Sequence, residues 1–177
     1  MTYANVSALA RILASTINDL IKYGPAKPVC QLEQVTTGTN LASGTDTELP
    51  FIAGSEVFDD DNWHDTATNN TRVTPTTAGR YKATGWGVIA ANTTCTAVNT
   101  YIKKNGTVIS RTGNHKPNAT NNVALNSPSL STYVDMNGTT DYLEIGLQHT
   151  SAAAAAQTSN VSVSGRSTLI VELERAP

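Results

Sequence analysis

Between Glu56 and Tyr81 the chain runs EVFDDDNWHDTATNNTRVTPTTAGRY. Asp59, Asp60, Asp61 and Asp65 place four carboxylates within seven positions of a segment that has no apolar periodicity, so it reads as an acidic loop. Arg72 to Thr74 is long enough only for a brief strand, and Pro75 to Gly79 has the chemistry of a turn. From Arg80 to Ala91 the pattern becomes that of a long strand. Tyr81, Ala83, Gly85, Gly87 and Ile89 fall on one face, and Trp86 and Val88 on the other. Apolar residues on both faces predict a strand covered on one side by the core and on the other by a neighbouring subunit.

The sequence on either side continues as short strands. Upstream, Val29 to Val35 alternates as a first strand, Gly38 to Thr47 is a polar loop, and Glu48 to Ile52 suits an edge because Pro50 lacks an N–H. Downstream, Val98 to Arg111 reads as a hairpin around Asn105-Gly106, a type I′ signal. Thr112 to Asn122 is an exposed polar loop, Val123 to Met136 holds one or two strands broken at Pro128, and Asn137-Gly138 turns the chain again. Tyr142 to Gln148 alternates as a half-buried strand with Leu143, Ile145 and Leu147 inward. The alanines of Ala152 to Ala156 form a loop between strands, Val161 and Val163 begin a further strand, and Thr168 to Glu174 turns Leu169, Val171 and Leu173 to the core. About eight to ten short strands with frequent turns predict a mainly β, two-sheet sandwich.

Composition agrees. A chain of 177 residues makes one domain of ordinary size, and only 15% of it is charged, with Thr, Asn, Ser, Gly and Ala abundant. The net charge of -2 and the lack of a basic stripe exclude a nucleic-acid partner. No apolar run reaches the roughly 18 to 20 residues that span a bilayer, and the first residues lack the pattern of a signal peptide, so a soluble protein with no membrane partner is expected. Cys30 and Cys95 are too few for a disulfide framework or a thiolate metal site, and read as small buried hydrophobes.

Ahead of the sandwich, Leu9, Ile12, Leu13, Ile17, Leu20 and Ile21 recur at three- and four-residue steps. They predict one amphipathic helix, capped by Ser7 and ended by Gly24-Pro25. Its apolar stripe must dock, either on its own domain or as an anchor on another protein. Residues 1–28 thus form a helix and Pro-containing spacer, and residues 29–177 the sandwich.

Phe58, the Asp61-Asn62-Trp63-His64-Asp65 run, Asn70, Arg72 and the Ala78-Gly79-Arg80-Tyr81 strand entry resemble the jelly roll of the tumour-necrosis-factor (TNF) and complement globular-head family. Asp141-Tyr142-Leu143-Glu144 looks like the family's entry to its penultimate long strand. Versions of the pattern are widespread in phage virion proteins. The resemblance implies that Phe58, Trp63 and Tyr81 plug the ends of the sandwich, and that Asn70 and Arg72 bond across a loop. It also implies a homotrimer, with Trp86, Tyr101 and Tyr133 as candidate contributors to the interface or else to the core. A non-enzymatic virion structural protein follows, made in the host cytoplasm. It would be a capsid decoration protein or head fibre held to the major capsid or tail protein by its helix. The alternative is a tail-associated adhesin whose loops, Thr112 to Asn122 and Ser151 to Ser159, bind a host-surface glycan or receptor, although no stalk repeat is present.

No catalytic constellation stands beside this reading. His64, His115 and His149 join no nucleophile elbow, zinc motif or phosphate loop, and no cofactor is expected. His64 reads as a hydrogen-bonded structural histidine, and the other two as solvated. Asp59, Asp61 and Asp65 are the ligands a calcium site would draw on, but acidic runs are more often solvated or used in turns and caps.

Overall fold

The computed structural model describes residues 27–35, 38–90, 94–113, 124–152, 155–162 and 165–176. In chain order the strands are β1 (Val29–Glu33), β2 (Asn40–Leu41), β3 (Thr47–Glu48), β4 (Glu56–Asp59), β5 (Arg72–Val73), β6 (Ala78–Trp86) and β7 (Val88–Ile89). They continue with β8 (Cys95–Lys104), β9 (Thr107–Arg111), β10 (Leu125–Asn126), β11 (Leu130–Asn137), β12 (Leu143–Ser151), β13 (Gln157–Thr158) and β14 (Thr168–Arg175). A first sheet has the order β11-β6-β14-β1-β4, and a second runs β3-β12-β8-β9 with β5 also on β12. Two short ladders, β10-β7 and β13-β2, and the isolated bridges His64–Val73 and Ile89–Ser159 complete the pairing among the described residues, and every pair is antiparallel. Partners far apart in sequence, such as β1 with β14, give the expected two-sheet jelly-roll sandwich. The helix predicted over the first 24 residues lies outside the described residues.

Strand alternation builds the core. Leu32, Tyr81, Ala83, Leu169, Val171 and Leu173 of the first sheet meet Ile102, Leu143, Ile145 and Leu147 of the second in one buried cluster. The sheets interdigitate most closely at two glycines: a Cβ on Gly85 would overlap Ile145 Cδ1, and one on Gly87 would overlap Leu147. The predicted long strand from Arg80 breaks at Gly87, whose N–H donates to the hydroxyls of Thr100 (3.0 Å) and Ser127 (3.1 Å) instead of to a neighbouring strand. Beyond the break Val88 and Ile89 are both buried, and of the two only Ile89 belongs to the core cluster.

The hairpin forms as its turn predicts, with Asn105 at φ 50° and Gly106 at φ 79° between β8 and β9. Other elements differ. The polar loop before Thr47 includes β2, whose Leu41 is fully buried, and the expected strand at Glu48 to Ile52 pairs only at Thr47–Glu48. The acidic loop begins as a strand, β4, paired with β1. No strand forms at Val161, while Gln157–Thr158 pairs with β2; Val163, Ala153 and Ala154 lie outside the described residues. The sandwich also holds the chain from Lys27 onward. Leu173 N–H donates to Pro28 O at 3.1 Å, and Lys27 Nζ to Glu174 O at 2.7 Å.

Strand β12 is covered on both faces rather than one. On its outward side Gly146 faces Tyr101 and Glu144 accepts from Thr71 Oγ1 at 2.7 Å. The phenolic end of Tyr101 lies against the glycine, and the charges of Arg111 and Lys103 stand 4.9 and 5.1 Å from its ring centre. Burial, reinforced by Glu48 and Asp46, pushes the Tyr101 phenol well above its ordinary range, and its hydroxyl has no hydrogen-bond partner among the described residues.

Two substitutions test this stack. A Cβ at position 146 would overlap the Tyr101 ring and lie 2.5 Å from Thr47 O, so Gly146→Ala should lower stability by about 1–3 kcal/mol in urea denaturation with an unchanged m value. Tyr101→Phe removes only an unbonded hydroxyl, and should be neutral or stabilising by up to about 1 kcal/mol.

Candidate interaction surface

The outward face of the first sheet can be read from its register. One row across the strands is Phe58 (β4), Gln31 (β1), Ile170 (β14), Thr84 (β6) and Ser131 (β11). The next is Val29, Glu172, Lys82 and Tyr133, and Trp86 lies further along β6 opposite Thr168. Phe58 and Tyr133 therefore share one face from opposite edge strands, about 19 Å apart at the usual strand spacing. Both are open to solvent, Phe58 at 54% and Tyr133 at 57%, while Trp86 is half-buried.

Beside Tyr133 the surface is charged. Arg80 lies over its ring at 5.7 Å and approaches Asp135 at 4.0 Å. A shallow cavity of about 360 Å³ opens here between Arg80, Tyr133, Glu174 and Arg175. The face thus combines an exposed aromatic on each edge strand with charged side chains beside Tyr133.

The outward face of the second sheet is built differently. Lys103 pairs with Glu48, Arg111 with Asp46, and Arg72 with Glu144 at 3.4 Å while stacking on Tyr142 at 4.0 Å. Its charges are matched within the chain and cover its aromatic rings. Tyr101 belongs to this layer and is fully buried, so it is a packing residue and does not join Trp86 and Tyr133 on the first sheet. The apolar residues exposed on this sheet are Val108 and Ile109 of the edge strand β9.

The acidic loop uses its carboxylates internally. Asp59 accepts the N–H groups of Trp63 (2.8 Å) and His64 (3.0 Å), Asp60 accepts that of Val29 (3.1 Å), and Asp65 those of Ala67 and Thr68 (2.9 and 3.1 Å). The two amide donors hold the exposed Asp65 carboxyl below its usual range. Among the described residues no three His, Cys, Asp or Glu side chains converge, so Asp59, Asp61 and Asp65 do not assemble a calcium site. Asp61 is exposed. Asn70 bonds across the loop through its main-chain carbonyl, which accepts Phe51 N–H at 2.7 Å.

Trp63 and Tyr81 are buried in the core, meeting edge-to-face at 5.4 Å, but Phe58 turns outward on the edge strand. Two adjacent apolar residues, Val57-Phe58, inside a run of carboxylates were the available sign of an exposed edge. His64 is buried, with Nδ1 2.8 Å from Arg72 O and Nε2 2.7 Å from Phe51 O. His149, expected to be solvated, is 1% exposed and lies between Ser151 Oγ and Leu41 O, each at 2.9 Å. His115 lies outside the described residues. Cys30 and Cys95 are both buried and are not joined in a disulfide, and burial, with Asp59 and Glu56 nearby, pushes the Cys30 thiol well above its ordinary range. The anchor candidates Leu9, Ile12, Leu13, Ile17, Leu20 and Ile21 fall outside the described residues.

No family model matches this chain, and no curated protein does. Solved structures do. A crystal structure of murine APRIL at pH 5.0 superposes with a TM-score of 0.58 at 12% identity, covering 83% of this chain and 99% of that one. Murine APRIL at pH 8.0 gives 0.53 at 14% identity (82% and 98%), and at pH 8.5 it gives 0.54 at 12% identity (82% and 99%). At such identities the likeness speaks for the fold alone, and that fold is the TNF-like jelly roll.

Proposed function

We propose that this chain is a non-enzymatic assembly protein, a homotrimer built through the outward face of its first sheet and carried on a phage particle as a capsid decoration protein or head fibre. The observation that carries the trimer is the placement of Phe58 and Tyr133 on opposite edges of one face. A cyclic ring needs two different patches per subunit, each meeting the other kind on its neighbour, and this face offers such a pair. Covering each aromatic would contribute roughly 1.5–3 kcal/mol. The number three and the virion setting come from the family resemblance.

The apolar stripe of Leu9, Ile12, Leu13, Ile17, Leu20 and Ile21 supports attachment to a particle, to the major capsid or a tail protein, because it lies ahead of a sandwich that closes its own core. Three stripes on one trimer would add avidity. A tail-associated adhesin binding a host glycan or receptor is the second reading, favoured by the polar connection between Thr112 and Asn122.

Light scattering of the full chain should give three times the 18.7 kDa chain mass. Phe58→Asp and Tyr133→Asp should each yield folded monomers, whereas Val108→Asp on the other sheet should leave the trimer intact. A wild-type monomer at micromolar concentration would refute the assembly. Deleting residues 1–24 should leave the trimer but abolish its joining to particles, read as copies per particle by mass spectrometry. Full occupancy by the truncated protein would transfer attachment to the sandwich.

A further inference from the structure

Past the end of β1, a cavity of about 360 Å³ opens between the chain leaving that strand and the connection from β3 to β4. Period-two alternation puts Cys30, Leu32 and Gln34 on the inner side of the first sheet, and Gln34 is 1% exposed. Glu33 N–H donates to Ser55 O at 2.8 Å, which sets Ser55, also 1% exposed, beside it. Gln34 and Ser55 both line the cavity, and each keeps an unused polar atom. Gln34 Nε2 donates to Thr39 Oγ1 at 2.8 Å, but Gln34 Oε1 has no partner among the described residues, and neither has Ser55 Oγ. Buried polar atoms are ordinarily paired, so two unpaired ones on the wall of one cavity point to hydrogen bonds supplied from outside the chain.

The rest of the lining says what kind of molecule that is. Pro50 and Ile52 give an apolar wall, and Asn70 adds a second carboxamide. No described lining residue is charged, so an ion entering here would lose its hydration without gaining an opposite charge. The side of the cavity at Gly38 and Thr39 is fixed in advance. Thr39 N–H donates to Ser159 Oγ at 2.7 Å, Thr39 O accepts Ser159 N–H at 2.9 Å, and a Cβ on Gly38 would overlap Thr158 Cγ2. A site whose wall is already held loses little freedom when it is filled.

We propose that this cavity binds the acetamido group of an N-acetylated hexosamine. The group has one donor, one acceptor and a methyl end, and each has its counterpart. Its N–H donates to Gln34 Oε1, its carbonyl accepts from the Ser55 hydroxyl, and its methyl lies on Pro50 and Ile52. Thr39 and Asn70 are left for ring hydroxyls, which the alkyl stem of an acetylated lysine lacks. The volume is near the lower end, roughly 300 Å³, of small-molecule sites, so it takes one sugar residue. The inference rests on the glycan-binding reading and gives it a sugar class and a place. It does not depend on assembly, because neither Phe58 nor Tyr133 lines the cavity.

The test titrates the ¹⁵N-labelled full chain with N-acetylglucosamine, N-acetylgalactosamine, glucose and ε-N-acetyllysine, followed by NMR. At least one of the two N-acetylated sugars should shift the Gln34 side-chain amide and the main-chain signals of residues 38–39 and 52–55, while glucose and ε-N-acetyllysine leave them in place. Equal shifts with glucose would overturn recognition of the acetamido group, and equal shifts with ε-N-acetyllysine would overturn recognition of the sugar. No shift with any of the four overturns the proposal outright. Shifts confined to residues 112–122 would overturn the cavity while leaving glycan binding to that connection. Ser55→Ala removes a hydroxyl without a partner among the described residues, so it should be at least as stable as wild type in urea, yet bind the sugar about tenfold more weakly, the scale of one buried hydrogen bond. Wild-type affinity in Ser55→Ala would also overturn the site.

Discussion

Ile145 and Leu147 reach into the space where side chains of Gly85 and Gly87 would stand, and much of the sandwich follows from that interlock. Because strand side chains alternate with period two, fixing these residues of β12 against β6 also fixes which residues of both strands face outward. Tyr81, Ala83 and Gly85 are committed to the core, so Lys82, Thr84 and Trp86 must form the outer face, and Tyr133 joins them by pairing with Lys82. On the other sheet the same commitment turns Glu144, Gly146 and Gln148 outward, and Tyr101 and Lys103 with them. The chemistry of each surface is thus a consequence of packing at the centre.

Elements specified locally were legible in the sequence. Asn105-Gly106 encodes its own turn because the required left-handed backbone is intrinsic to those residues, and Thr168 to Leu173 encodes its face through strict alternation. The short strands β2, β4 and β13 were not legible. Pairings of two to four residues are set by what tertiary packing brings alongside, such as the burial of Leu41, and leave no periodic trace. Two-sided burial of β12 escaped notice for a related reason. A glycine and a glutamate look like an outward face until Tyr101 is laid over one and Thr71 and Arg72 over the other. Of the interface candidates, Trp86 could be placed from alternation about Tyr81, whereas placing Tyr133 required the register of β11 on β6. Tyr101 could not, because an aromatic on an outward face can be covered either by a partner or by its own chain's cations.

That last distinction separates the two faces of the sandwich. On the second sheet, Lys103, Arg111 and Arg72 each meet a carboxylate of the same chain, and their stems and charges shield Tyr101 and Tyr142. Another protein docking there would have to break pairs already made. On the first sheet, Arg80 reaches Asp135 only at 4.0 Å and leaves Tyr133 open. Exposed edge strands invite unwanted pairing unless something blunts or covers them, and β4 and β11 are the two edges of this sheet. Ring closure would cover both at once.

The acidic loop shows how a polar segment can be rigid without a core of its own. Asp59 and Asp65 take the main-chain N–H groups that the loop cannot pair with itself, and Asn62 and Asn69 tolerate the positive φ values of 54° and 56° that its turns require. The resulting frame holds Trp63 against Tyr81 on the core side. Swapping the carboxylates for amides would leave acceptors in place but remove the charge that strengthens each bond. Asp59, Asp60 and Asp65 are thus engaged with the chain's own main-chain N–H groups, and Asp61 is exposed.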